Sequence, residues 1–294
     1  MIRTYTLLIL FLLTSACLKA QNLREKIAYN ACEQLDSIQK VKVLNDSIIR
    51  NSITHALARV MTEGTAEEKK IICTVTGIRQ LLKETFEVMP SACYPVRRFL
   101  VEKKRTEFYK FSDNEKANLH FDAGNDFLKS QNYKKAIKAF KSAIKLDKSF
   151  VYAIDHLAVA YRRQMNFKKA IKYYKQSLSI FPEGDVALLN IAVSYTFLMD
   201  NNKALECYNQ LMFLYPNEAE GYFGSAKIRF RNSDYSKALD HLFIAHSIYA
   251  DTHSDYIKDS TKLFEIMYVQ LKEENKLDLV KAKAKEHNVQ INVE

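Results

Sequence analysis

Cysteine, histidine and carboxylate are the side chains that could carry chemistry here, and their spacing points to a crosslink rather than to catalysis. Cys32, Cys73 and Cys93 fall in the amino-terminal third of the chain, and Cys207 stands apart. In an oxidising compartment one bridge can form among the first three. Cys73 with Cys93 is the least favourable pair, because Cys73 would lie about 24 Å up its helix from the turn before Cys93, at 1.5 Å per residue. Cys32 with Cys73 suits parallel neighbouring helices and Cys32 with Cys93 suits the apolar faces; both stay open. The histidines His55, His120, His156, His241, His246, His253 and His287 include no i, i+4 pair of the kind a helix-borne metal site uses. No two cysteines have close ligand spacing either. Carboxylates are scattered over helix faces with no acid–base pair, and no nucleophile elbow is present. Gly221 and Gly224 are the closest glycines, which leaves no phosphate-cradling loop. The sequence predicts no catalytic residue, no metal and no cofactor, hence not an enzyme.

The elements that would position any site are helices. The chain of 294 residues is 48% apolar and 27% charged, with only six Gly and four Pro. Aromatics at 12% exclude low-complexity disorder, and the scarcity of breakers excludes collagen-like and turn-dense all-β architectures. From residue 117 the chain repeats with a constant period. Tyr133-Lys134-Lys135-Ala136 returns as Phe167-Lys168-Lys169-Ala170, Asn201-Asn202-Lys203-Ala204 and Tyr235-Ser236-Lys237-Ala238, a step of 34 residues each time. Beyond each Ala comes Phe140, Tyr174, Tyr208 or Leu242, and ahead of it a small residue, Gly124, Ala158, Ala192 or Ala226. Phe127, Tyr161 and Tyr195 hold a further slot that slips to Arg229. Pro182 and Pro216 close the second and third copies. Small residues let two antiparallel helices approach, aromatics fill the gap to the next pair, and Pro ends a helix.

These slots resemble the tetratricopeptide repeat. The resemblance implies an all-α helix-turn-helix solenoid with repeats at 117–150, 151–184, 185–218 and 219–252, and polar capping helices over 253–294. Residues 21–115 show no such phase and read as a helical amino-terminal cap domain. Leu23, Ile27, Ala31, Leu35 and Ile38 make one stripe, and Ile49, Ile53, Leu57 and Val60 a second. Thr65 with Glu68 forms a capping box before a third helix carrying Ile71, Val75, Ile78 and Leu82, and Pro90 breaks the chain before a fourth.

In tetratricopeptide domains the first helix of each pair lines a concave groove that takes extended peptides. Carried over by position, the groove shows Phe121, Asn125, Tyr152, Arg162, Arg163, Phe197, Phe223, Lys227 and Arg231. Aromatic anchors and Arg donors dominate interface energetics, so the resemblance implies a non-catalytic interaction scaffold binding a peptide or a partner helix. The family's clamp for chaperone carboxylates is not implied. Its slots hold Phe121, Asn125, His156, Val186 and Asn190, of which only Asn125 matches.

Residues 1–20 read as a secretory signal peptide, with a basic start, the apolar run Leu7 to Leu13 and small residues before a cleavage point. The expectation is export to the periplasm or beyond. Thr14-Ser15-Ala16-Cys17 also resembles a bacterial lipobox, which would lipidate Cys17 and make an anchored envelope accessory protein. The formal charge is +10, and residues 116–182 hold 14 Lys or Arg against four Asp. Lys134, Lys135, Lys138, Lys141, Lys168, Lys169 and Lys172 lie on second helices, which face the convex side. An anionic membrane surface or an acidic polymer is therefore the alternative partner. Nucleic acid is not expected, since no base-reading motif accompanies the lysines.

Overall fold

The computed structural model describes residues 22–291; the leader with Cys17 lies outside the described residues. Fifteen helices and no strand occur among the described residues. The chain divides between Lys103 and Lys104 into two compact units.

The first unit contains α1 (22–38), α2 (Asp46–Glu63), α3 (Ala66–Ile72), α4 (Val75–Ala92) and the start of α5 (Tyr94–Phe108). Its core joins Leu23, Ile27 and Leu35 of α1 to Ile53 and Leu57 of α2, Leu81 and Met89 of α4 and Val96 of α5. The capping box forms as its spacing requires. Thr65 accepts from the Glu68 amide, and the Glu68 carboxylate accepts from the Thr65 amide. The expected single third helix is broken at Cys73 and Thr74. The Thr74 side chain caps the Gly77 amide of a new helix, and the Cys73 thiol donates back to the Lys70 carbonyl at 2.9 Å. The expected break at Pro90 moves to Cys93. Pro90 sits in the last turn of α4, where its missing amide costs one helical bond only. Cys93, fully buried, forms a disulfide with Cys32 across 5.4 Å between Cα atoms, while Cys73 is free and exposed at the helix break.

The second unit is a run of helix pairs: α6 (Glu115–Lys129) with α7 (Tyr133–Leu146), α8 (Val151–Arg163) with α9 (Phe167–Ile180), α10 (Asp185–Phe197) with α11 (Asn201–Leu214), and α12 (Ala219–Arg231) with α13 (Tyr235–Asp251). A further pair, α14 (Ile257–Glu273) and α15 (Leu277–Glu286), closes it by burying Met267, Leu271 and Val280 against α12 and α13. It begins earlier than residue 117, because Lys104, Arg105 and Tyr109 bond to repeat residues described below.

Each pair turns by the same device. Gln131, Met165, Met199 and Ser233 adopt left-handed φ of 58°, 58°, 59° and 60°. The next residue closes the turn by donating its amide back to a carbonyl: Asn132 to Phe127, Asn166 to Tyr161, Asp200 to Tyr195 and Asp234 to Arg229. Asn132, Asn166 and Asp200 then cap the second helix through their side chains, each accepting an amide at 3.3 Å. Asp234 instead accepts from Arg229 Nη1 at 2.7 Å.

Successive first helices α6, α8, α10, α12 and α14 touch one another in order, whereas no comparable contact joins α7 to α9 or α9 to α11. First helices therefore form the inner face and second helices the outer one. At two points the helices approach too closely to admit a Cβ. A Cβ on Gly124 would lie 2.5 Å from the Phe140 ring, and one on Gly224 2.2 Å from the Tyr208 ring.

Gly224→Ala sets a helix-propensity gain of about 1 kcal/mol against an overpacking cost of about 1–3 kcal/mol. Tyr208 is 4% exposed and its ring, 2.2 Å from the added Cβ, must leave its packed position, so the cost wins. The single variant is expected to melt lower, and Tyr208→Leu should recover part of the loss in a thermal double-mutant cycle. Equal melting of Gly224→Ala and the parent would refute the close approach.

Candidate binding groove

The inner face of the first two repeats is filled by the chain itself. Residues 104–112, the end of α5 and the turn after it, run along it as a strap. Lys104 pairs with Glu183, and Arg105 Nη2 donates to Asp185 Oδ2 at 3.0 Å while its guanidinium lies 5.6 Å over the Tyr215 ring. Phe108 stacks on Phe181, with centroids 6.4 Å apart. Tyr109 sits 4.2 Å from the Tyr152 ring and donates its hydroxyl to Asp155 Oδ2 at 3.0 Å. Phe111 meets Phe121 at 6.0 Å and Tyr152 at 5.8 Å, and Ser112 donates to Asp147. Phe121 and Tyr152, expected to meet a partner, thus receive the strap.

Asn125 is also engaged internally, accepting from His156 Nδ1 at 2.5 Å. Burial lowers the His156 pKa, so the imidazole stays neutral. Arg162, Arg163, Phe197 and Arg231 lie at the last turns of first helices or just past them, beside the left-handed turns. Phe197 stacks on Phe167 at 4.8 Å and Arg231 donates to Asn201 at 3.1 Å. These four do not line the open part of the inner face. Phe223 and Lys227 do.

That open part is a groove of about 590 Å³ over repeats three and four and α14. Val186, Leu189 and Val193 of α10 form one wall, and Phe223, Gly224 and Lys227 of α12 the other. Tyr208 and Leu211 of α11 lie at the floor, and Tyr249 and Tyr256 close the far end. Asp185, Glu218, Glu220 and Asp259 bring carboxylates to its edge. Burial pushes Glu218 above the usual carboxylate range; Glu220 and Asp185 add to this and Arg105 opposes it. Lys227 is held below the usual lysine value by burial, with Asp259 opposing, and its ammonium rests 4.4 Å over the Phe223 ring. Sequence reasoning missed the acids. They sit in inter-repeat turns and first turns of helices rather than on the mid-helix slots, and a charge count by junction would have exposed them.

On the outer face Lys134, Lys135, Lys138, Lys141, Lys168, Lys169 and Lys172 are all exposed. Lys135, Lys141 and Lys169 lie over Phe127 or Tyr161 rings. The buried-side histidines are used structurally: His241 bonds Ser225, His246 bonds Ser260 and His287 bonds Asp240. No cluster of metal-ligating side chains occurs among the described residues.

A tetratricopeptide repeat family model matches residues 121–185 and a second matches residues 186–218. No curated protein matches the chain. Among solved structures, the chain is similar to a tetratricopeptide repeat protein from Parabacteroides merdae ATCC 43184, at 19% identity over 59% of this chain and 77% of that one, with a TM-score of 0.43. It is also similar to MamA from Desulfovibrio magneticus RS-1, at 13% identity over 55% and 98% of the two chains, TM-score 0.44. The Sgt2 TPR domain from Aspergillus fumigatus matches at 23% identity over 43% and 82%, TM-score 0.39.

Asp155 beneath the strap makes stability depend on pH. Its pKa is pushed up to about 7, chiefly by burial, with Asp185 adding and the Tyr109 and Ser177 hydroxyls opposing. An unfolded Asp titrates near about 3.9, so the folded chain binds the extra proton between about pH 4 and 7. Stability falls as pH rises through that window and is fully retained below it. Asp155→Asn keeps an acceptor for Tyr109 and removes the titration. The parent is expected to lose more of its denaturation midpoint between pH 5 and pH 8 than the variant does. Parallel pH profiles would show that Asp155 does not titrate there.

Proposed function

We propose that this chain, whose residues 121–218 belong to the tetratricopeptide repeat family, is a non-catalytic interaction scaffold that holds a partner segment in the groove of repeats three and four. One observation carries the reading: the strap fills the inner face of repeats one and two, and the inner face beyond it stays open with apolar walls and aromatic side chains. Each aliphatic or aromatic anchor buried there contributes about 1.5–3 kcal/mol, before the cost of ordering the segment. Two or three anchors suit a reversible interaction.

Export is the compartment we infer. It is supported by the leader-like residues 1–20 and by the Cys32–Cys93 disulfide, a bond that persists where the surroundings oxidise. If the chain is denatured and alkylated straight from its own cells before any reductant is added, Cys73 and Cys207 are expected to be modified while Cys32 and Cys93 are spared. Modification of all four would place the chain in a reducing compartment.

The groove is tested by differential capture. Val186→Asp with Tyr256→Ala is expected to reduce retention of a native partner by about tenfold or more, a loss of about 1.4 kcal/mol. Arg163→Ala with Phe197→Ala, at the turn edge, should leave it unchanged. The reverse pattern would move the binding surface to that edge. Retention that survives both pairs and vanishes at 1 M salt, where the Debye length is about 3 Å, would favour the lysine-rich outer face.

A further inference from the structure

The molecule displays, on its own inner face, what that face recognises. The strap reads Lys104-Arg105-Thr106-Glu107-Phe108-Tyr109-Lys110-Phe111-Ser112, a basic and aromatic stretch. It is held where one repeat passes to the next. Asp147, between α7 and α8, takes Ser112; Glu183, between α9 and α10, takes Lys104, and Asp185, the first residue of α10, takes Arg105. The same arrangement continues into the open groove. Glu218 occupies the N-cap position of α12, Glu220 lies in its first turn, and Asp259 lies in the first turn of α14. None of these three is in an ion pair among the described residues, whereas Asp185 already is. The aromatic component is repeated as well. Phe223, Tyr249 and Tyr256 line up with centroids 6.0 and 5.9 Å apart, and Tyr256 is 58% exposed. The one cation within the groove, Lys227, lies over the Phe223 ring, so an aromatic face here already holds a positive charge.

The geometry points to a protein partner that docks in this groove through a segment carrying Arg or Lys next to aromatic residues, its cation meeting Glu218, Glu220 and Asp259 and its rings meeting Phe223 and Tyr256. The inference rests on the groove reading above and adds the chemistry of the occupant. Charge complementarity supports it: Glu218, Glu220 and Asp259 make no ion pair among the described residues, and the only cations acting on them are Arg105, near Glu218, and Lys227, near Asp259. A guanidinium suits the site best, because it stacks on a ring while donating to carboxylates in its plane. Lys227 would then be a built-in competitor that the incoming cation displaces from Phe223.

A display library of random dodecapeptides, selected on the full chain, tests this directly. Peptides enriched in Arg or Lys beside Phe, Tyr or Trp are expected, binding the Glu218→Gln/Glu220→Gln/Asp259→Asn variant about tenfold more weakly and the Lys227→Met variant more tightly. Circular dichroism checks that each variant is folded. Peptides without basic enrichment, or basic peptides indifferent to the triple variant, would overturn the inference. If such peptides still depend on Val186 and Tyr256, only the cationic occupant falls; if they ignore Val186 and Tyr256 too, the groove reading falls with it. Concentration-dependent self-association abolished by the triple variant would assign the groove to a second copy and likewise overturn the proposal.

Discussion

The repeat array depends on how closely its helices approach. Phe140 and Tyr208 stand in the space that Gly124 and Gly224 leave free on first helices, and with Tyr174 all three rings are buried. At Gly124 and Gly224 the fit admits no Cβ at all without something shifting. A left-handed residue before each second helix then sets the angle at which it returns. Close contact on the inner side and looser contact on the outer side bend the row, so that first helices share a concave surface. That curvature gives apolar side chains from α10 and α12 a common space without burying them in a core.

The inner surface divides its work between holding the chain and facing outward. Arg105, Tyr109 and Phe111 take up the part belonging to the first two repeats, using ion pairs, a hydroxyl bond and ring contacts together. The acids beyond them are left facing a groove with one lysine. Positive charge is concentrated instead on α7 and α9, on the opposite side of the helix pairs. The formal excess of +10 therefore describes the outer face poorly matched to the inner one, and a net charge would mislead about what the groove attracts.

Much of this was legible in the residues. The constant spacing of Ala136, Ala170, Ala204 and Ala238 located four of the five helix pairs, because a packing slot repeats only when the structure does. Thr65 and Glu68 announced their capping box, since both partners lie within one turn. The strap was not legible. Phe108, Tyr109 and Phe111 fall outside the repeat phase, and the partners of the first two, Phe181 and Asp155, are distant in sequence. For the same reason Phe121 and Tyr152 looked available to a partner. The open groove was half visible: Phe223 and Lys227 follow from helix position, but Glu218 lies in a turn, where no periodicity operates. Cys32 and Cys93 could not be paired from spacing, because Cys73 offered a competing partner until the break at Thr74 turned it outward.

A row of helix pairs behaves mechanically as a spring, each junction acting as a soft hinge. The strap alters that. By gripping Asp147 at one junction and Asp185 and Tyr215 at the next two, it braces the first three repeats along a single line. Such a brace resists uncoiling as far as the turn before α12, so elastic bending concentrates beyond it. The open groove thus straddles the end of the braced stretch, with Asp185 at its edge gripped by the strap and Tyr256 beyond its reach.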